Sequence, residues 1–342
     1  MNGHPAPRRK PAAQSTLFRA CRPISLVFLL LLAWAVAGVT TLSGCGSSGA
    51  ATASSTTVAV TSSTTPSQAS FPVTVTDDAN NSVTIDKEPL RIVSTAPSNT
   101  EILFALGLGE KVVGVSSLDD YPPEAAKIPK VGDFQVNTEA VLALSPDVVL
   151  GYAGNEEALT PVKKAGIPVL IFNPDSLEQI YSDIETVGQA TAATTEASAL
   201  VSSIRAEVQA VADTAGNSAE SPKVFYALDN TLYTAGPGSF VDALLTLAHC
   251  TNVADGATAA PLQAYYQFAP EQLVAADPDV ILLPKTAYKS AEDFASDPRF
   301  AGLKAVKNGR VIVIDDVIVT RPGPRIGQGL KLLAAAIHPE AF

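Results

Sequence analysis

Short apolar runs alternate with stretches of helical periodicity over most of this sequence. The runs are rich in Val, Ile and Leu, as buried strands are, and they occupy residues 91–94, 112–115, 148–150, 169–172, 280–283 and 311–314. Helical spacing follows several of them, as at residues 99–106 and 156–164. Strands that alternate with helices in this way form largely parallel sheets. The pattern therefore predicts an α/β fold.

A hairpin and two longer helices complete the predicted elements. Residues 71–85 alternate polar and β-favouring side chains around an Asn-Asn pair, which predicts a β-hairpin at an edge of the fold. Ser176 and Gln179 have the spacing of a capping box at a helix start. A longer helix is predicted over about residues 195–212, and Gly216 is expected to end it.

Two segments of the chain echo each other. Residues 139–150 (EAVLALSPDVVL) and 271–282 (EQLVAADPDVIL) share an opening glutamate, a Pro-Asp pair and an apolar strand at an offset of 132, which is 271 minus 139. Each segment is typical of a short helix that stops before a buried strand. The echo predicts two lobes of similar build, an N-terminal lobe over 71–192 and a C-terminal lobe over 217–342, joined by a connecting helix at 193–216.

The N-terminus has the features of an export signal. An apolar run at residues 24–39 follows five basic residues, namely Arg8, Arg9, Lys10, Arg19 and Arg22. The run is followed by Leu42-Ser43-Gly44-Cys45, which resembles the lipobox of bacterial lipoproteins, where the cysteine is acylated. A transmembrane anchor is the alternative, but the run is short and small residues rather than charges follow it. The sequence therefore predicts a signal peptide over 1–44 and a lipid anchor on Cys45, outside the cytoplasm.

Composition adds a tether and a charge to this picture. Residues 45–70 are almost entirely Ser, Thr, Ala and Gly, which predicts an unfolded tether. Without the five basic residues of 1–44, the mature chain has 18 Lys and Arg against 34 Asp and Glu, a net charge of −16. This charge argues against nucleic acid or an anionic membrane as a direct ligand. Only Cys45 and Cys250 remain after cleavage, so no disulfide framework is expected.

The mature chain lacks the parts that an enzyme would need. Its two histidines, His249 and His338, do not lie near a Ser or Cys elbow of a recognised type. His249 follows an apolar helical stretch, which favours a packed or helix-terminal role. The sequence predicts no catalytic residues, no resident metal site and no cofactor.

Several ordered motifs resemble one transport family. The segments are similar to those of the periplasmic binding proteins of cobalamin and ferric-siderophore ABC transporters, and they lie at residues 91–106 (RIVSTAPSNTEILFAL), 112–117 (VVGVSS), 120–123 (DYPP), 130–133 (KVGD) and 321–326 (RPGPRI). The resemblance covers about residues 71–339. It implies two Rossmann-like lobes bridged by a long helix, with a ligand cleft between the lobes and modest closure on binding.

The resemblance also implies a docking surface. In that family one glutamate on each lobe contacts arginines of the permease, and the matching positions here are Glu139 and Glu271. Both glutamates fall in the predicted first turn of a helix, where the helix dipole favours a negative charge. Their alternative role is only that of helix-start residues.

The same resemblance assigns residues to the cleft. The family lines its cleft with aromatic rings, and the matching positions hold Phe134, Tyr152, Tyr233 and Tyr265. Arg321 matches a position that reaches the ligand as a donor or pairs an anionic chelate, and Arg325 is expected to start the last helix. The tryptophans that are typical of cobalamin-binding relatives are missing, since the only tryptophan is Trp34 in the signal peptide.

These expectations imply a monomeric solute-binding lipoprotein that captures cobalamin or a related metal chelate. It would deliver the ligand to an ABC permease and its ATPase, and it would bind no nucleic acid. A ferric siderophore or haem is the alternative ligand. The alternative in another class is a structural or enzyme-like lipoprotein without a transport role. Tyr265 and Tyr266 raise a further option, in which two tyrosinates bind a naked ferric ion. Sites for hard metal ions usually add carboxylate or imidazole ligands, which argues against this option.

Overall fold

The computed structural model describes residues 70–256 and 264–342 of the chain. The predicted signal peptide, Cys45 and all but the last residue of the predicted tether lie outside these ranges. Within them, no helix combines the length and the apolar character that a membrane crossing requires.

A β-hairpin opens the described part of the chain, as the alternating pattern predicts. Strand β1 (Val73–Thr76) pairs antiparallel with β2 (Ser82–Ile85), and Asn80 in the turn has a φ of 59°. Val75 and Ile85 point into the core from the two strands. The Asp77 carboxylate accepts a hydrogen bond from the Ile171 N–H at 3.0 Å, which joins the hairpin to the edge of the first large sheet.

The N-terminal lobe is built on a four-stranded parallel sheet. Its strands are β3 (Ile92–Ser94), β4 (Val112–Gly114), β5 (Val148–Tyr152) and β6 (Val169–Phe172), in the order β4-β3-β5-β6. Its helices are α1 (Pro97–Ala105), α2 (Thr138–Ala143), α3 (Glu156–Lys164) and α4 (Leu177–Thr191). Ser176 caps α4 by accepting a hydrogen bond from the Gln179 N–H, as the sequence predicts.

A long helix joins the two lobes. Helix α5 (Thr194–Gly216) has 23 residues and continues about a turn beyond the predicted end of its apolar stripe. Its buried side chains, among them Ile204, Val208 and Val211, pack against α4 on one side and against helices of the second lobe on the other. One continuous hydrophobic core therefore includes residues of both lobes.

The C-terminal lobe repeats the four-stranded arrangement. Its strands are β7 (Lys223–Tyr226), β8 (Tyr233–Ala235), β9 (Thr251–Asn252), β10 (Tyr265–Gln267), β11 (Val280–Pro284) and β12 (Val311–Ile314). The parallel sheet has the order β12-β11-β7-β9, and β8 and β10 form a separate antiparallel pair. Its helices are α6 (Phe240–Leu247), α7 (Pro270–Ala276), α8 (Glu292–Ala295), α9 (Lys304–Lys307), α10 (Asp316–Thr320) and α11 (Ile326–Ile337).

The echo in the sequence corresponds to equivalent positions in the two sheets. The second pair of strands along the chain, β5 and β6 in one lobe and β11 and β12 in the other, extends each sheet on the same side of its first strand. The aspartates of the two Pro-Asp pairs make the same contact. Asp147 accepts a hydrogen bond from the Arg91 N–H, and Asp279 accepts one from the Lys223 N–H, each at 3.0 Å. The predicted α/β fold of two Rossmann-like lobes bridged by a long helix is confirmed.

Candidate functional site

A cleft of about 960 Å³ lies between the two lobes. Several of its lining residues come from the carboxyl ends of parallel strands, where ligands collect in open α/β sheets. Thr95 follows β3, Tyr152 ends β5 and Asn173 follows β6, whereas Thr286 follows β11 on the opposite lobe. Both lobes therefore contribute to one site.

Three of the four predicted aromatic rings reach this cleft. Phe134 and Tyr152 line it from the N-terminal lobe, and Tyr265 lines it from the C-terminal lobe. Phe134 is 81% exposed, so most of its ring is free to contact a ligand in the cleft. Burial raises the pKa of Tyr265, the Phe240 backbone N–H lowers it, and the Tyr152 hydroxyl and Asp175 carboxylate of the opposite lobe raise it further.

Tyr233 lies outside the residues that line the cleft. Its hydroxyl donates a hydrogen bond to the backbone oxygen of Tyr265 at 3.2 Å. Because β8 and β10 pair antiparallel, Tyr233 lies opposite Gln267 and braces the strand that carries Tyr265. The structure therefore gives Tyr233 a supporting position beside the cleft.

The loop before α2 holds Phe134 toward the cleft. Gly132 has a φ of 120°, and a side chain there would collide with the backbone of Gln135 and Asn137, so this tight turn requires glycine. The Asn155 side chain donates a hydrogen bond to the Phe134 backbone oxygen at 3.2 Å and accepts one from Thr95 at 2.9 Å. These contacts fix the loop while the ring stays free.

Arg321 lines the cleft, as the resemblance implies, but its guanidinium is already bound to two carboxylates of the protein. Its Nη1 donates to Glu101 Oε1 at 2.9 Å and to Asp120 Oδ1 at 2.7 Å. Arg325 binds the same glutamate through Nε at 2.8 Å and Nη2 at 2.6 Å. We refer to Glu101, Asp120, Arg321 and Arg325 as the interlobe ion cluster, because the two acids belong to the N-terminal lobe and the two arginines to the C-terminal lobe.

The side chains of this cluster are mostly buried, apart from Asp120. The Glu101 side chain is only 2% exposed, and both arginines are mostly buried. Arg325 precedes α11 as its N-cap, as predicted, and its guanidinium also lies 3.9 Å from the centre of the Tyr121 ring. The sequence did offer one signal for Glu101, since a lone charge within the apolar helix pattern of 99–106 marks an unusual position.

A second buried acid lies beside the cluster. Asp119 accepts a hydrogen bond from Thr100, and its other oxygen, Oδ1, is buried without a hydrogen-bond partner. Burial raises the pKa of Asp119 to about 6, although Thr100 and the charges of Lys130 and Arg321 act in the opposite direction. This carboxyl therefore holds its proton to a higher pH than an exposed aspartate does.

The two docking candidates take matching positions on the two lobes. Glu139 is the second residue of α2, and Glu271 is the second residue of α7 after a proline. Both side chains are exposed, and each helix leads into an equivalent strand of its own sheet, β5 or β11. Their charges face solvent and favour the helix starts.

The structure separates the two tyrosines of the alternative ferric site. Successive residues of a strand point to opposite faces. Tyr265 faces the cleft, whereas Tyr266 is buried and donates a hydrogen bond to the Ala254 oxygen at 2.6 Å. Among residues 70–256 and 264–342, no group of three or more His, Cys, Asp or Glu is arranged to hold a metal ion. A paired tyrosinate site is therefore not formed.

The histidines have structural positions. His249 follows the end of α6 with a φ of 53°. His338 is buried, with Nε2 at 3.0 Å from the Ala248 oxygen and 3.2 Å from the His249 oxygen at the end of the same helix. These contacts satisfy backbone carbonyls that a helix end would otherwise leave free.

Comparisons with known proteins agree with this geometry. Residues 92–318 match the family model described as "Periplasmic binding protein". The "Uncharacterized ABC transporter substrate-binding lipoprotein YvrC" of Bacillus subtilis is 38% identical over 80% of this chain and 87% of the relative. A protein named "Cobalamin-binding protein" from Halobacterium salinarum is 32% identical over 79% of this chain and 75% of its own length.

A solved structure has the same fold. The periplasmic heme-binding protein RhuT of Roseiflexus sp. RS-1 superposes with a TM-score of 0.66 and 32% identity, over 74% of this chain and 99% of that one. The match of the family model over most of the folded chain, together with these relatives, shows that the chain belongs to the periplasmic binding protein family.

Proposed function

We propose that the protein captures cobalamin or a closely related metal chelate in the interlobe cleft and delivers it to an ABC permease, without chemistry on the ligand. The main support for this proposal is the cleft between the lobes. Its volume of about 960 Å³ lies at the upper end of the range for small-molecule sites, and it presents aromatic faces from both lobes. Flat rings with large apolar area suit a corrin ring.

The relatives support transport and a tetrapyrrole-like ligand. One is named a substrate-binding lipoprotein of an ABC transporter, and another is named a cobalamin-binding protein. Haem is the second candidate ligand, because the similar structure of RhuT is that of a heme-binding protein. A ferric siderophore would use the same cleft.

The location proposed for the protein is the cell membrane, where a lipid would anchor it on the extracytoplasmic side. Cys45 follows the small residues of the lipobox-like segment and would carry the lipid, and the relative YvrC is also named a lipoprotein. The Ser/Thr/Ala-rich residues up to Ser70 would then connect the anchor to the folded lobes.

The docking proposal places Glu139 and Glu271 against the permease. Equivalent positions on two similar lobes would present two like charges to a partner, and exposed acidic side chains suit arginines across an interface. The ATPase of the transporter would act through that permease.

The ligand assignment can be tested by thermal unfolding with and without ligand. A ligand that binds only the folded state raises the melting temperature by mass action. We expect cyanocobalamin to shift the melting temperature of the purified protein, and we would compare it with haem and several ferric siderophores.

Two variants show whether the shift arises in the cleft. Phe134→Ala removes an exposed cleft ring and is expected to weaken binding about tenfold with little change in stability. Phe342→Ala removes another exposed ring, which does not line the cleft, and serves as the control. Absence of a shift with every chelate, or equal effects of the two variants, would contradict the proposal.

A further inference from the structure

The charges that face the cleft are unbalanced. Among the described residues that line it, the charged side chains are Asp133, Asp175 and Arg321. Residues 257–263, which precede the cleft residues Ala264 and Tyr265 in the sequence, contain no charged side chain. The sign of the site therefore depends on how these three groups are paired.

Arg321 contributes no free positive charge to the cleft. It belongs to the interlobe ion cluster, in which two arginines face two carboxylates, so the cluster as a whole is neutral. The Arg321 side chain is only 14% exposed, and the Nη1 atom that contacts both acids is used inside the protein. Arg321 can still donate to a ligand through Nε and Nη2, but its charge is already balanced within the cluster.

The two aspartates keep their negative charge facing the cleft. Among the described residues, neither Asp133 nor Asp175 has a salt-bridge partner, and both are exposed. Asp133 accepts only the Gln135 N–H at 2.9 Å. The charge of Asp175 is felt across the cleft, since it contributes to the raised pKa of Tyr265 after the effect of burial.

A neighbouring cavity does not offset these charges. Lys285 and Arg325 line this cavity of about 420 Å³ together with Asp120, Asp315 and Asp316. The cavity itself therefore has three carboxylates against two cations. The wall of the cleft is therefore net negative.

From this arrangement we infer that the cleft selects metal chelates that carry no net negative charge, with Asp133 and Asp175 as the residues that determine this selectivity. The inference rests on the proposed function, because it concerns the same cleft. A ligand with peripheral carboxylates or catecholates would be enclosed next to two unpaired carboxylates, in a cleft whose one arginine is already balanced by carboxylates, which is unfavourable when water is excluded. A corrin ring with amide side chains meets no such repulsion. The cleft thus favours corrinoids over free haem and over anionic ferric siderophores.

A pair of matched ligands tests this selectivity. Cyanocobalamin has no net charge, and its monocarboxylic acid differs only in one side-chain amide that is hydrolysed to a carboxylate. We expect the wild-type protein to bind the neutral ligand at least about tenfold more tightly than the acid, by isothermal titration at low salt. The ratio should shrink as salt is added, because ions screen partly exposed charges.

Two sets of variants assign the effect to residues. The double variant Asp133→Asn and Asp175→Asn should bring the ratio of the two affinities close to one while cyanocobalamin still binds. Asp86→Asn removes one exposed carboxylate away from the cleft and should leave the ratio unchanged. A wild-type ratio near one, or the same ratio in the double variant, would overturn the inference.

A second ligand pair separates this inference from the proposed function. If the protein binds no corrinoid, the cobalamin assignment is wrong, and haem is then compared with its dimethyl ester, which lacks both carboxylates. Tighter binding of the ester, lost in the double variant, would still support the charge selectivity. Equal or tighter binding of free haem would overturn it, and binding of neither pair would overturn both proposals.

Discussion

Asp183 is a carboxyl group in a position where ionisation is unfavourable. It lies in α4 and is 3% exposed. Burial raises its pKa to about 9, and the neighbouring Asp78 carboxylate adds to the shift through its charge and a hydrogen bond. Asp78 also accepts a hydrogen bond from the Asn173 N–H at 2.6 Å, and Asn173 lines the cleft. A protonated Asp183 therefore helps to hold the hairpin beside the ligand site.

This raised pKa predicts a specific pH dependence of stability. An unfolded aspartate titrates near pH 4, so between about pH 4 and pH 9 the folded protein retains a proton that the unfolded chain releases. The contribution of Asp183 to the free energy of unfolding should be highest below the unfolded pKa, fall as pH rises, and level off once pH passes about 9. Asp183→Asn should remove this slope and should stabilise the protein by about 1–3 kcal/mol at pH 8. Urea unfolding at pH 5, 7 and 9 measures it.

The control for this prediction is Asp86→Asn, an exposed aspartate of the same hairpin region. It should leave the slope of the wild type in place. If Asp183→Asn and the wild type lose stability in parallel between pH 5 and pH 9, Asp183 does not hold its proton in the folded state.

The sequence predicted which residues line the cleft better than it predicted the ion-pair partners of those residues. Phe134, Tyr152, Tyr265 and Arg321 do reach the cleft, because each lies in a loop or at the end of an element: Tyr152 ends β5, Tyr265 begins β10 and Arg321 follows α10. The partner of Arg321 could not be found in this way, since Glu101 is 220 positions away in the sequence and on the other lobe. Contacts that form only when two lobes meet leave no local pattern.

At the scale of elements, the length of a strand or helix decided whether it could be predicted from the sequence. Six strands of the two parallel sheets, β3 to β6, β11 and β12, were predicted to within two residues, since runs of consecutive apolar residues give a strong signal. No bounds were predicted for β7. Strands β8, β9 and β10 have only two or three residues, and helices α8 and α9 form a single turn, so periodicity has no room to appear. The Pro-Asp pairs were visible because a backbone contact at a strand start requires them in both lobes.

The starts of α2 and α7 make a prediction about docking. Changing Glu139 and Glu271 together to Arg should lower the free energy of unfolding by roughly 1 kcal/mol each, since the favourable interaction with each helix dipole is lost. Chelate affinity should hardly change. Ligand-stimulated ATPase activity of the reconstituted cognate transporter should fall strongly, because like charges would then face each other across the interface.

A matched pair of glutamates controls for charge and position. Glu157 in the first turn of α3 and Glu292 in the first turn of α8 are also exposed, and one lies in each lobe. Changing both to Arg alters the net charge equally and should leave ATPase stimulation intact. Equal loss in both double variants would indicate a general charge effect, and loss of chelate binding in the first would place its glutamates in the ligand site.

At the scale of the whole molecule, two features connect the lobes, namely helix α5 and the interlobe ion cluster. Helix α5 packs against helices of both lobes and belongs to a core that they share. The interlobe ion cluster joins α1 and the loop after β4 to the segment between α10 and α11. The cluster borders the cleft through Arg321, so any opening of the cleft must alter its contacts.

The last prediction concerns this cluster. Glu101→Gln keeps the shape of the side chain but removes the charge that two mostly buried arginines share, and Arg325 then loses its carboxylate partner. Removing one partner of a buried ion pair costs about 3–5 kcal/mol, because the remaining charge is left uncompensated. We expect such a loss in urea unfolding, a larger radius of gyration by small-angle scattering, and faster ligand dissociation.

Glu178→Gln is the matched control, since Glu178 forms the same kind of two-pronged contact with Arg205, at 2.8 and 2.6 Å, but both side chains are largely exposed. Exposed pairs of this kind contribute at most about 1 kcal/mol, because water screens their charges. Each variant therefore removes a carboxylate that forms a two-pronged contact with an arginine, but Glu101 is buried and Glu178 is exposed. Equal, small effects would show that the cluster does not hold the lobes together. A large effect of Glu101→Gln on stability without a change in radius or dissociation would show that it supports α1 within its own lobe instead.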